Sequence, residues 1–170
     1  MKVSRKFARA ASIAALTLAA ACADRSAVPA AIELSDAALC SMDGMLVADF
    51  PGPKGQILYD QGPPDVFCDT YELLSALLAP EQQKRVAAAY TEDMAQTSWE
   101  KPRGHWIDAR TAFYVAGSKR TGSMGPTLAS FARQADAQAF ARDNGGKVLR
   151  FADITPQMVA LDGGVLKDTL

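Results

Sequence analysis

Histidine is almost missing from this chain: His105 stands alone among 170 residues. A site needing two imidazoles is therefore excluded, and with it most zinc enzyme centres and the His-His-Cys copper centre of electron carriers. There is no Gly-x-Ser-x-Gly, no phosphate loop and no Cys-x-x-Cys, which removes serine hydrolases, nucleotide hydrolases and thioredoxin-like chemistry. A basic excess is lacking too. Eighteen basic residues face 19 acidic ones, for a net charge of -1, so no nucleic-acid partner is expected. The carboxylates are scattered, and Asp65, Asp69 and Glu72 read as turn and cap residues rather than an acid/base pair. What remains, 49% hydrophobic and 22% charged, is the composition of an ordinary globular chain and excludes disorder, collagen-like repeats and a coiled coil.

The charge is unevenly spread. Lys2, Arg5, Lys6 and Arg9 precede an uncharged Ala- and Leu-rich stretch over 10–21. That run falls short of the roughly 20 residues of a membrane span but suits a secretory signal. It ends in Leu18-Ala19-Ala20-Ala21-Cys22, similar to a bacterial lipobox, although Leu is commoner where Ala19 stands. Residues 1–21 are expected to be removed and Cys22 to be acylated, with plain secretion as the alternative. Ala23 after the cysteine favours the outer membrane over the inner. Taking the four signal cations from 18 leaves 14 basic against 19 acidic side chains, formally -5. Cys40 and Cys68 then remain, and in an oxidising compartment a disulfide between them is the plain expectation that any metal or redox role must beat.

Residues 22–37 read as lipid anchor and tether, 38–100 as a first ββαβ unit, 101–155 as a second and 156–170 as a tail. In the first unit strands are expected at 45–50 and 56–59, separated by Pro51-Gly52-Pro53-Lys54-Gly55. A helix should open at Asp69 as cap with Glu72 three residues on, carry Leu73, Leu74, Leu77 and Leu78 on its core face, and close at Pro80. A strand at 86–90 completes the unit. The second unit repeats the order, with strands at 112–117 and 128–131 around a Gly-rich connection at 121–126, a helix near 134–144 and a strand at 147–151. The fold class is α+β: two consecutive ββαβ units with small antiparallel sheets, packed into one body because each half is small. Met158, in the tail, should lie outside both cores.

The densest chemical group is Cys40-Ser41-Met42-Asp43-Gly44-Met45, one thiol, two thioethers and a carboxylate within six residues. Soft sulfur selects Cu(I). Met94 follows Thr91-Glu92-Asp93, and Met124 stands in Gly122-Ser123-Met124-Gly125, where a loop offers a thioether little packing. Each methionine taken singly also reads as core, and His105 as an exposed loop residue beside Trp106; their clustering favours metal.

With Cys40-x-x-Asp43-Gly44-Met45, residues 50–57 reading Phe-Pro-Gly-Pro-Lys-Gly-Gln-Ile, Asp93-Met94, Trp106-Ile107-Asp108-Ala109 and Gly122-x-Met124-Gly125, the chain resembles the NosL family over roughly residues 38–153. The resemblance implies a periplasmic, membrane-anchored Cu(I) chaperone of two ββαβ units. Such a protein would be no enzyme and would pass copper toward the catalytic cluster of nitrous-oxide reductase beside a membrane ABC-type assembly complex. Carried over residue by residue, it implies Met45 and Met124 as ligands first, then Cys40, with Met42, Met94, Asp43 and His105 behind them. Many relatives read Cys-x-x-Cys-Gly-Met, whereas Asp43 stands here for the second cysteine. Cys40 is thus left to bind copper, to pair with Cys68, or to do neither. The competing readings are a structural or protein-binding lipoprotein without metal, and a thiol/disulfide oxidoreductase using Cys40 and Cys68.

Overall fold

The computed structural model describes residues 28–79, 84–162 and 165–166. The signal segment, Cys22 and Pro80 lie outside the described residues.

β1 (Gly55–Tyr59) pairs antiparallel with β2 (Asp65–Phe67), α1 (Thr70–Leu78) follows, and β3 (Val86–Glu92) returns along the other edge of β1. β4 (Trp106–Asp108) extends this sheet, in the order β2-β1-β3-β4. The second unit repeats the plan around a central β5 (Phe113–Ala116). A short hairpin of β6 (Thr121–Gly122) and β7 (Gly125–Pro126) leads into β8 (Ala129–Phe131), then α2 (Gln134–Asn144), then β9 (Lys147–Arg150) on the far edge of β5. In each unit the first strand is central, and the helix links its two neighbours. The molecule is the expected α+β arrangement of two such units.

One strand is misplaced by the sequence reading. Residues 45–50 pair with nothing in the sheet, because their backbone is committed to the preceding turn: Cys40 N–H donates to Met45 O and Val47 N–H to Ala38 O. They contribute only a bridge between Leu39 and Leu46 and a 3-10 turn, Val47–Asp49. β2, just after Pro63-Pro64, takes the place beside β1.

α1 begins where Asp69 accepts the Tyr71 N–H (2.7 Å), the cap that the free amides of a first turn require. Its two sides serve different sheets. Leu73 packs with Ile57, Phe67 and Ala89 of the first, while Tyr71 and Leu74 pack with Tyr114, Leu128 and Leu149 of the second. Gly55 permits the close approach to β1, since a Cβ there would lie 2.6 Å from Leu73 Cβ. The opposite face of the second sheet carries Val115, Ala129 and Phe131 against Ala137 and Phe140 of α2, as strand alternation demands. Residues 156–159 form a 3-10 turn whose Val159 is fully buried, and Met158 packs partly buried against the Leu74 cluster rather than outside it.

The open face of the first sheet is covered by the chain itself. Gln56 is fully buried, so its amide needs both a donor and an acceptor. Ile32 supplies them: its N–H donates to Gln56 Oε1 and its carbonyl accepts from Gln56 Nε2, each at 2.9 Å. Beside it Tyr90, opposite Gln56 in register, donates its hydroxyl to Pro29 O (2.7 Å). The segment expected to be part of a free tether is thus fastened from Pro29 onward. Tyr90→Phe removes one of these bonds and should lower unfolding free energy by about 1 kcal/mol, readable from the midpoint of a urea titration.

Candidate metal centre

The loop over 39–46 is folded to present one thiol. Gly44, at φ 77°, allows its N–H to reach Cys40 O (2.9 Å), and Asp43 Oδ1 accepts the Met45 N–H (3.0 Å). Ser41 fastens this loop to β2 twice, donating its N–H to Val66 O (2.7 Å) and accepting the Val66 N–H on its hydroxyl (2.9 Å). Cys40 is thereby held against the junction of β2 and α1, where Cys68 stands.

Cys68 lies just ahead of the Asp69 cap and Glu72 in the first turn of α1, and the turn of the chain between them brings both side chains to one buried point. Glu72 Oε2 accepts the Cys68 N–H at 3.0 Å and the Cys40 thiol at 3.2 Å. The two sulfurs and the carboxylate all lie within 4.8 Å of one another, and all three residues are buried. Both cysteines are free thiols, so the pair stands as adjacent donors rather than as a disulfide.

The electrostatics favour ionisation at one of the three. The hydrogen bond from Cys68 lowers the Cys40 thiol to about 6, while the same bond and burial push Cys68 up. Burial, with the neighbouring Cys40 charge, raises the Glu72 carboxyl to about 8. The thiolate is the form that binds metal. A soft cation entering this group meets sulfur first, and a carboxyl that yields its proton only under stronger demand.

The second unit reaches the same junction through Asp69, the residue after Cys68. Its Oδ1 accepts the Thr127 hydroxyl (2.9 Å) and its Oδ2 the Ser123 N–H (3.3 Å). Burial lifts this carboxyl to about 6. Gly122 must be glycine, because a Cβ there would collide with Asp69 Oδ2 and stand 2.9 Å from Thr127 Cβ. Met124 is at the tip of this hairpin, 42% exposed.

Of the residues expected to bind metal, Met45 packs against the cluster holding Cys40 and Cys68. Met42 is exposed at the end of its loop and Asp43 is spent on the Met45 amide. Met94 packs in a separate core with Trp99 and Phe131, its N–H bonded to Ser130 O. His105 is exposed at φ 53°, its carbonyl accepting from Asp93 N–H, and is not part of the cysteine cluster. Sequence reasoning treated Cys68 as a disulfide partner or an oxidoreductase thiol and left it out of the metal candidates, and treated Glu72 as a cap residue. The i, i+4 spacing of a thiol and a carboxylate across a helix start was the available signal.

A family model described as NosL matches residues 31–159. The chain is 44% identical over 137 residues to the copper-binding lipoprotein NosL of Stutzerimonas stutzeri, a match covering 78% of this chain and 72% of that one. It is 38% identical over 154 residues to the copper-binding lipoprotein NosL of Achromobacter cycloclastes, covering 86% and 79%. The crystal structure of the copper chaperone NosL from Shewanella denitrificans is similar at a TM-score of 0.71 and 41% identity, over 74% of this chain and 96% of that one.

Proposed function

This chain belongs to the NosL family, and from that membership and its buried donor group we propose that it binds copper as Cu(I) and hands it to a partner rather than catalysing a reaction. The observation that carries the reading is the trio Cys40, Cys68 and Glu72, whose donor atoms lie within 4.8 Å. Two thiolates suit a soft monovalent ion. Met45, packed on the same cluster, and Met124, on the hairpin tied to Asp69, are the thioethers proposed to complete or cap the site. Thioethers stay neutral and need no deprotonation, which suits an ion that must later leave.

The cargo's destination follows from the family resemblance. The protein delivers copper for assembly of the catalytic cluster of nitrous-oxide reductase, beside a membrane ABC-type assembly complex. It works in the periplasm, anchored through acyl chains on Cys22, a placement supported by the lipoprotein names of two relatives; Ala23 favours the outer membrane.

The test is an anaerobic titration of the mature chain with Cu(I) against a competing chelator. Tight 1:1 binding is expected, and no binding under reducing conditions overturns the proposal. Met124→Ala should weaken binding by more than about tenfold, a loss of at least 1.4 kcal/mol, with far-UV circular dichroism unchanged. Transfer of Cu(I) from the loaded protein to copper-free reductase tests the donor role.

A further inference from the structure

Lys54 is 3% exposed, an unusual place for an ammonium group. Its Nζ donates to Phe50 O at 2.6 Å, Pro51 O at 3.2 Å and Cys68 O at 3.1 Å. Three acceptors call for three N–H bonds, and only the charged amine has three. The side chain therefore carries its full charge, although burial pulls its pKa down. Among the described residues no carboxylate lies within ion-pair distance of this Nζ. Glu92, whose Oε2 accepts the Lys54 backbone N–H (3.1 Å), acts on this charge with Asp69 and Glu72 from beyond ion-pair distance. The three groups in direct contact with the ammonium are all carbonyls, and one of them belongs to Cys68.

We propose that Lys54 sets the charge selectivity of the adjacent cysteine site, favouring a soft monovalent cation over a soft divalent one. The inference rests on the copper reading of Cys40, Cys68 and Glu72. A monovalent ion on two thiolates leaves a net charge of -1 beside the ammonium, and a divalent ion on the same thiolates leaves none. Viewed ion by ion, a fixed positive charge opposes a divalent cation twice as strongly as a monovalent one at the same place.

The lysine also ties residues 50–51 to the start of α1. A purely structural role predicts that its loss weakens every metal alike, whereas a charge role predicts unequal changes.

The experiment compares Ag(I) and Cd(II), both thiophilic and redox-inert, on the reduced mature chain by chelator competition. In Lys54→Met the ratio of Ag(I) to Cd(II) affinity should fall by at least about tenfold. A ratio that stays within twofold while both affinities drop overturns the proposal. Should Lys54→Met fail to fold by circular dichroism, Lys54→Gln, which keeps N–H donors for the carbonyls, carries the same readout. On the unmodified protein, Cd(II) held as tightly as Ag(I) overturns it without any variant. Failure of the unmodified protein to bind Cu(I) or Ag(I) defeats the copper reading itself; binding with an unchanged ratio defeats only the role of Lys54.

Discussion

On the proposed copper reading, Cys68→Ser is expected to lower Cu(I) affinity by more than about hundredfold, beyond the 10–100-fold that follows loss of a hydrogen bond supporting a ligand. Serine keeps nearly the same shape at a fully buried position and leaves the Cys68 N–H to Glu72 bond intact, so the fold has little reason to change. It replaces a soft, ionisable donor with a hard hydroxyl that stays protonated in the working pH range. Competition titration measures the affinity, and a thermal melt of the apo protein separates binding from folding. An affinity within threefold of the original would exclude Cys68 from the site.

Gly122→Ala is expected to be the most damaging single change at the boundary of the two units. The new methyl meets the Asp69 carboxylate, which accepts bonds from Tyr71, Thr127 and Ser123. Either the carboxylate turns away and α1 loses its cap, or the hairpin carrying Met124 lifts off. Loss of a cap and overpacking together amount to roughly 3 kcal/mol, or about 10 °C in Tm for a chain of this size. Copper affinity falls with it, because the residue next to Cys68 has moved. Calorimetry of apo and loaded protein reads both effects; a Tm within 2 °C of the original would mean that this contact relaxes freely.

The helices were the easiest elements to recognise from sequence. Asp69 is a strong cap before a Leu-rich periodic segment, and Gly145-Gly146 ends α2 where its backbone requires positive φ. Strands of three residues, such as β2 and β4, carry too little pattern to be seen. The apolar run 45–50 looked like a strand because hydropathy does not reveal that a backbone is already bonded within its own loop. Cys40 and Met45 stood out by density. Cys68 and Glu72 did not, since a cap signature explained Glu72 and only the folded β2–α1 junction brings Cys40 to them. Lys54 was unreadable as part of a site: no basic residue is near Cys68 in sequence, and the strand β1 with its return through β2 makes the approach.

α1 is the element on which both halves converge, with Leu73 turned to one sheet and Tyr71 and Leu74 to the other. Neither sheet can open without losing a face of that helix, so the two units are expected to melt together in one cooperative transition, as one system. Glu72 lies in the helix's first turn and Cys68 just ahead of it. Any ion bound to them is linked thermodynamically to the whole of that system, and adds to its stability in proportion to the logarithm of free ion concentration over Kd. On the proposed copper reading, loaded and empty forms would differ in resistance to heat and proteolysis throughout the described body, so proteases would read the cargo state through the helix beside the site.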